Sequence, residues 1–393
     1  MQKKKSYHKT RGGCITCKER KVRCGLERPV CQNCTRLSKA CHYAQPSPSS
    51  PPTAQAAQAA EATRMRELEL MYFYAAHTYA VMSRDPVRTQ LWKDVVPKHA
   101  FQHPFLLHGL LSIAAQHRLH FDKDAMKSAD LVQTAEKYQQ EALASYIGLL
   151  NNITEDNCHA LFAFSQIIVA IQLSRLSLDT YSDTRHPHGI IICMTEILEL
   201  LKGALIIAIE AIDWLRAGDL EPMLGPKPDT PPSTPLPPKG SPSMKALASL
   251  SDYIASQPAD SPEGSARIET LLSTIRLIHS GFLESPESRT MFNTISGIPV
   301  FFDPSYLRLL KMKDEAALVV LAYYGILLHR VSGMCFVHGT GVKIVAAVAA
   351  VVGEEWSPYM MQPQFELDID ARFTLTSSST MSSSAMSSSN TPS

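Results

Sequence analysis

Six of the nine cysteines in this 393-residue chain crowd into residues 14 to 41. Cys14, Cys17, Cys24, Cys31, Cys34 and Cys41 follow the spacing C-x2-C-x6-C-x6-C-x2-C-x6-C. Thiolates at such spacings suit a soft, tetrahedral metal ion, and zinc is the usual occupant. The intervals that separate Cys14, Cys17 and Cys24 recur unchanged between Cys31, Cys34 and Cys41, so two equivalent half-sites are written in tandem. Two tetrahedral ions need four ligands each, and six sulfurs can meet that demand only if two of them bridge. The repeat requires an equivalent bridging pair, and the first cysteine of each half, Cys14 and Cys31, is taken as that pair. Cys17 and Cys24 then complete one ion, Cys34 and Cys41 the other. A disulfide-stapled mini-domain, or one four-cysteine site with two spare thiols, is the plainer alternative, and the regular repeat argues against both. So short a segment has almost no core, so metal must supply most of its folding free energy, on the order of 10 kcal/mol or more per structural zinc.

The spacer between the second and third cysteines is Lys18-Glu19-Arg20-Lys21-Val22-Arg23, with four cations among its members. Residues 1 to 45 hold 12 Lys and Arg against Glu19 and Glu27, a formal +10, and the rest of the chain holds 26 basic and 35 acidic residues, or −9. A basic head on a mildly acidic body is the electrostatic footprint of a module that meets phosphate. Such tracts also serve as localisation signals.

Gly13 to Tyr43 resembles the fungal Zn2Cys6 binuclear-cluster family of transcription factors, in the cysteine spacing, in the basic run 18–23 and in Pro29 shortly before the fourth cysteine. The resemblance implies a nuclear, sequence-specific DNA-binding regulator that holds two zinc ions, and its bridging pair falls on Cys14 and Cys31. It also implies that each C-x2-C opens a short helix. The first, near Cys17 to Cys24, is the expected recognition helix, with Lys18, Arg20, Lys21 and Arg23 on its surface. In the family the end of this helix enters the major groove, and the pair matching Arg20 and Lys21 reaches the bases, typically of a CGG triplet. Lys and Arg suit guanine, whose O6 and N7 both accept hydrogen bonds there. Lys18, Arg23 and Arg11 are assigned to phosphate, with a solvated surface charge as the competing reading for each. Pro29 is expected to set a turn, in the cis form as in relatives. His8 and His42 are read as non-ligands.

What carries the cluster follows from composition. A 45% hydrophobic and 19% charged chain can bury a core beside a small module. Lys3 to Lys5 lead into polar residues and cysteines, which predicts no secretory signal and a reducing compartment, so the cysteines are free or metal-bound. The longest uncharged apolar run, Ile344 to Val352, is about half of a roughly 20-residue membrane span and reads as a core helix. The domains expected are a DNA-binding domain at 1–45, a Pro/Ser/Ala-rich linker at 46–60, an all-helical regulatory domain at 61–375, and a disordered Ser-rich tail at 376–393. The fold class is thus a small Zn2Cys6 cluster with two short helices, followed by a mainly all-α domain.

Gln45 to Thr53, QPSPSSPPT, opposes regular structure. From Ala54 to Ser83 the pattern turns helical, with Leu68, Met71, Tyr72 and Ala75 on the expected apolar face. A dimerising coiled coil would sustain apolar a and d positions, and Gln55 to Ala62 does not, so monomeric binding stays open beside a homodimer. Further helices are expected near 104–120, 124–151, 155–175, 187–217, 244–257, 264–282, 305–331 and 341–353. Pro104 suits a first helical turn, and Thr154 before Glu155 and Asp156 reads as a helix cap.

Leu68 to His120 also resembles, more loosely, the regulatory domain of the sterol uptake control group of the same family. The stretches that carry it are Leu68-Glu69-Leu70-Met71, Leu91-Trp92 with Val96-Pro97, and His103-Pro104-Phe105-Leu106-Leu107-His108-Gly109. It implies a helical domain that senses a sterol in an apolar pocket, with ordinary helix packing as the alternative. His99, His103, His108, His117 and His120 invite a metal reading, with His117 and His120 on one helix face. Surface or capping roles explain them more simply. Cys158, Cys193 and Cys335 read as buried free thiols.

Glu221 to Ser243 holds nine prolines and is expected to be a loop or hinge. Thr230, Thr234, Ser241, Ser47 and Ser50 precede prolines, which marks them for proline-directed phosphorylation, or simply for disorder. No catalytic motif accompanies the histidines, so no catalytic residue and no enzyme activity is assigned. The leading reading is an RNA polymerase II regulator, in the family more often an activator, with duplex DNA, the transcription machinery and an apolar effector as partners. Sterol or lipid uptake, or a secondary-metabolite gene cluster, are its implied targets. A zinc-dependent protein-interaction module leaves the four cations of 18–23 unexplained, and a DNA-tethered enzyme lacks a catalytic constellation.

Overall fold

The computed structural model of the chain describes residues 12–43, 54–121, 129–178, 185–224, 240–259, 261–284 and 291–368. Expectations placed on His8, Arg11, the stretch 45–53 with Ser47 and Ser50, Thr230 and Thr234, and the tail 376–393 lie outside the described residues. The chain divides into two compact units, Met1–Arg66 and Glu67–Ser393.

The first unit holds two single-turn helices, α1 (Ile15–Glu19) and α2 (Gln32–Arg36), and the beginning of α3 (Ala54–Phe73). The buried side chains of residues 12–43 are almost all cysteines: Cys14, Cys17, Cys31 and Cys34 have no exposed surface. A core made of thiols cannot hold a chain together by hydrophobic burial alone, so the metal expected from the spacing is a folding requirement.

The described residues of the second unit form helices joined by turns and short loops, with no strand among them. After α3 come a π-turn at Tyr74–Thr78, α4 (Tyr79–Val81), α5 (Pro86–Gln90), a second π-turn at Leu91–Val95, α6 (Val96–Ala100), α7 (Pro104–Phe121), α8 (Ala129–Leu149) and α9 (Cys158–Ser177). Then follow α10 (Pro187–Glu210), α11 (Ile212–Ala217), α12 (Pro242–Ala255), α13 (Pro262–Phe282), α14 (Met291–Gly297), α15 (Pro304–Lys311), α16 (Glu315–Arg330), α17 (Thr340–Ala349) and α18 (Ser357–Glu366). Four of these begin with an Asp or Ser followed by Pro. Asp85, Ser241, Ser261 and Asp303 accept hydrogen bonds from the backbone of the first turn, and Pro fills a position whose N–H would be orphaned anyway. Ser241, read from the sequence as a phosphorylation site, therefore caps α12, its oxygen accepting from the Met244 N–H at 3.4 Å.

Two apolar cores organise this unit. One gathers Leu70, Tyr74, Trp92, Leu106, Leu110, Leu161, Phe164 and Ile168 around α7. The other surrounds α16, in which every residue from Ala316 to Leu328 is buried. A helix apolar on all sides belongs inside a protein. Packing there is close enough to demand glycine: a Cβ on Gly341 of α17 would lie 2.3 Å from the Gly325 carbonyl oxygen of α16. Helices α9 and α10 serve both cores, since Ile168 and Ile207 enter the first, and Val169 and Met194 the second. Helix α9 is long and apolar enough to span a membrane, but 67% of that window is buried inside the protein, the signature of a core helix.

Several expectations change. Leu68 and Tyr72 are 59% and 73% exposed, and α3 buries Leu70, with Tyr74 and Thr78 continuing the same face at four-residue steps. The expected helix 305–331 is two helices, because Lys313 is left-handed (φ 59°) and Asp314 caps a new start by accepting from the Ala317 N–H at 3.0 Å. Arg267 clamps that carboxylate from α13 at 2.6 and 3.0 Å. Likewise 187–217 breaks at Ala211 into α10 and α11. Thr154 is not the cap of α9, which begins at Cys158. Its N–H donates instead to Asn157 Oδ1 at 2.8 Å in the preceding turn. Helices at 86–100, 291–297 and 357–366 are additions that the sequence pattern does not predict. Pro97 and the π-turn blur the periodicity of the first, and Pro358 and Pro363 mask the last.

Candidate metal centre and nucleic-acid interface

Helix α1 begins at the first C-x2-C and α2 at the second, with Cys14 and Cys31 as their N-caps. Their closing turns obey the same repeat as the cysteines. The Val22 N–H donates to the Cys17 carbonyl at 3.1 Å and the Lys39 N–H to Cys34 at 3.0 Å. The Lys21 N–H donates to Lys18 and the Ser38 N–H to Thr35, each at 3.1 Å. Lys21 (φ 53°) and Ser38 (φ 46°) occupy the left-handed position between. Both ends are Schellman motifs, built here without the usual glycine. The expected recognition helix is therefore shorter than its spacer. It stops at Glu19, Arg20 caps it, and Lys21 and Arg23 lie beyond it, because the end of the spacer must return the chain to Cys24.

The sulfurs form two groups of four, Cys14, Cys17, Cys24 and Cys31, and Cys14, Cys31, Cys34 and Cys41, with all ligand atoms in each group within 4.8 Å of one another. Cys14 and Cys31 belong to both. Sulfur separations within a group are 3.8 Å for Cys14–Cys31, 3.6 Å for Cys17–Cys31 and 3.7 Å for Cys14–Cys34. Zinc–thiolate bonds of about 2.3 Å at tetrahedral angles put neighbouring sulfurs about 3.8 Å apart. The donor set therefore fits two zinc ions. Backbone N–H groups face the outer sulfurs symmetrically, Cys14 N–H on Cys24 at 3.4 Å and Cys31 N–H on Cys41 at 3.3 Å. Without a cation the six thiols cannot all ionise. Burial first, and hydrogen bonds with Cys14 and Cys31, push Cys17 up to about 12. At Cys31 burial is outweighed by the Cys34 N–H and neighbouring thiols, which draw it down to about 6.

The halves also grip one another. Thr16 Oγ1 donates to the Ala40 carbonyl at 2.7 Å, the Ile15 N–H to His42 at 2.6 Å, and Asn33 Nδ2 to the Arg23 carbonyl. Tyr43 donates from its hydroxyl to the Glu27 carbonyl at 2.8 Å, beneath the Arg28 guanidinium. The Gln32 N–H on Glu27 holds that carboxyl below its usual range. The Arg28–Pro29 bond is cis, as expected. Thr16, Asn33 and Tyr43 were not singled out from sequence. The signal available was that Thr16 and Asn33 each precede the second cysteine of a C-x2-C.

Lys18, Arg20, Lys21 and Arg23 are exposed and make no ion pair with the described residues. Arg11 lies outside them. His42 is exposed and belongs to neither sulfur group.

In the helical unit the five histidines do not form a metal-binding group among the described residues. His99 faces Asp219 at 3.0 Å and His108 faces Glu141 at 3.6 Å. The expectation of surface roles fails for two of them. His117 is 5% exposed and bonds Thr78 Oγ1 at 3.0 Å, and half-buried His120 bonds Ser174 Oγ at 2.9 Å. Burial, then neighbouring charges, lowers both to about 4. Cys158 is a buried thiol, while Cys193 and Cys335 are half-buried. A cleft of about 470 Å³ opens between α10, α15 and α16, with Ile191, Ile192, Leu310 and Leu318 among its apolar lining and Lys313 and Glu196 at its polar edge.

Comparison with known proteins matches residues 12–50 to the fungal Zn(2)-Cys(6) binuclear cluster domain, which binds two zinc ions through six cysteines. Residues 68–207 match the fungal specific transcription factor domain. The chain is similar to the Zn(2)-C6 fungal-type transcription factor afumD of Aspergillus fumigatus, 26% identical over 54% of this chain and 57% of that protein. It is similar to a Zn(2)-C6 fungal-type transcription factor of Gibberella zeae, 24% identical over 44% of this chain and 48% of that one. Sterol uptake control protein 2 of Candida albicans is 54% identical over 10% of this chain and 6% of its own length. The chain spans about half the length of the first two relatives.

Proposed function

We propose that the chain, which carries both a fungal Zn(2)-Cys(6) cluster domain and a fungal specific transcription factor domain, is a zinc-dependent regulator that reads a CGG-like triplet in duplex DNA. The observation that carries the reading is the arrangement around the six sulfurs: they are gathered for two ions while the four cations of the first spacer stay exposed and unpaired among the described residues. Cys14 and Cys31 bridge. Cys17 and Cys24 complete one ion, Cys34 and Cys41 the other. Arg20 and Lys21 reach guanine edges at the exposed end of α1. Lys18, Arg23 and Arg11 take phosphates and make affinity fall steeply with salt.

Residues 1–45 form the DNA-binding domain, 46–60 the linker, 61–375 the regulatory domain and 376–393 the tail. Family members are generally nuclear, and nuclear action as an activator with the transcription machinery is the reading adopted for this chain. A sterol or comparable apolar effector is assigned to the helical unit. The reading follows the name of a relative, Sterol uptake control protein 2 of Saccharomyces cerevisiae, 26% identical over 28% of this chain and 12% of that protein.

The test is selection of randomised duplex DNA by the zinc-loaded chain, with Lys21→Ala and Cys31→Ser in parallel. A CGG-containing motif, lost with Lys21→Ala and abolished by Cys31→Ser or a chelator, is the expected result. Binding without enrichment would turn the cluster into a zinc-dependent protein-interaction module.

A further inference from the structure

Thr16 and Asn33 hold the same place in the two half-sites, each immediately before the second cysteine of a C-x2-C. Their hydrogen bonds obey the same symmetry. Thr16 of the first half donates to the carbonyl of Ala40, just before the last cysteine of the second half. Asn33 of the second half donates to the carbonyl of Arg23, just before the last cysteine of the first. Each half thus grips the far end of the other's spacer. The two gripped spacers differ in cargo: 35–40 carries only Arg36 and Lys39 and ends in Ala40, whereas 18–23 carries Lys18, Arg20, Lys21 and Arg23.

We infer that Asn33 is a positioning residue for base reading, acting through the Arg23 backbone to fix the basic spacer. This rests on the DNA-reading role proposed above. Helix α1 ends at Glu19, so Lys21 to Arg23 lie outside it. The Val22 N–H on the Cys17 carbonyl secures the start of that stretch, and Asn33 secures its end. Without the second restraint the cationic side chains must be ordered by the DNA itself, and that ordering is subtracted from specific binding. Non-specific attraction to phosphate needs no fixed orientation and is retained.

Thr16 indicates which substitutions separate the roles. A threonine hydroxyl makes this brace in the first half, so Asn33→Thr keeps a donor, and Asn33→Val, close to threonine in shape, removes it. The full chain, zinc-loaded, is compared as unmodified protein, Asn33→Val, Asn33→Thr and Thr16→Val, measuring bound zinc and affinity for the selected duplex and for a scrambled one. All four are expected to retain both ions. Asn33→Val loses about fivefold to tenfold of the preference for the selected duplex, the worth of one hydrogen bond. Asn33→Thr restores that preference, and Thr16→Val leaves it within about twofold.

Unchanged discrimination in Asn33→Val overturns the inference. So does loss of zinc in that variant, which would make Asn33 a strut of the metal site, or an equal loss in Thr16→Val. If the unmodified chain itself does not discriminate, the base-reading proposal falls first, and that outcome is separable from the others.

Discussion

The Sγ atoms of Cys14 and Cys31 lie 3.8 Å apart, and both belong to each of the two four-sulfur groups. Removing a shared sulfur therefore damages two sites, while removing an outer one damages one. Cys31→Ser is expected to abolish binding of both ions and to unfold residues 12–43, a loss on the order of 10 kcal/mol. Cys24→Ser should retain about one ion per chain. Metal content after gel filtration, read beside circular dichroism, decides; equal retention in the two variants would refute the bridging assignment.

Lys21 and Ser38 fill equivalent left-handed positions, yet only Lys21 is assigned to DNA. Glycine relieves roughly 1 kcal/mol of backbone strain at either site. Lys21→Gly and Ser38→Gly are both expected to resist chelator as well as or better than the parent. Only Lys21→Gly should lose the selected sequence, a contrast that electrophoretic mobility shifts with specific and scrambled duplexes would reveal.

Gly341 cannot accept a methyl group without moving backbone, since the new Cβ would meet the Gly325 carbonyl at 2.3 Å and the His329 nitrogen at 2.8 Å. Gly341→Ala should destabilise the helical unit by about 3 kcal/mol. Gly203→Ala in α10, where nothing lies within 4 Å, is the matched control. Urea midpoints of the two variants provide the comparison, and a Gly341→Ala midpoint equal to the control would contradict the packing described.

Burial holds His117 and half-buried His120 down at about 4 in the folded chain, against about 6.5 when unfolded. Between those values the unfolded state binds more protons, so stability is intact above pH 6.5 and falls as the pH drops toward 4. The cost should reach about 3 kcal/mol for each ring at the bottom of the window. Replacing both by Asn is expected to flatten the dependence of the urea midpoint between pH 7.5 and 4.5. A slope unchanged by the double substitution would place the sensitivity elsewhere.

The metal centre was legible in the sequence because coordination leaves a covalent ruler: ligand type and spacing are fixed along the chain, and the tandem repeat requires that any shared sulfurs be an equivalent pair. The extent of α1 was not legible. Its end depends on Lys21 adopting a left-handed conformation that no residue type announces, the usual marker being glycine. The helical body was legible in outline, as at Pro104–Phe121, and failed at breaks set by tertiary partners. Asp314 starts a new helix where Arg267, distant in the chain, meets it. His117 looked like a surface residue because its partner, Thr78, belongs to a different and earlier helical segment.

Helices α9 and α10 face two cores at once, and residues 68–207, the part matched to a known domain, stop inside α10. A fragment cut at that boundary would strip the partners from Val169, Leu176, Ile190, Met194 and Leu198, leaving greasy flanks open to water. The stretch that kinship delineates is thus smaller than the stretch that can stand alone, and a recombinant piece intended to report on this body must run at least to α18.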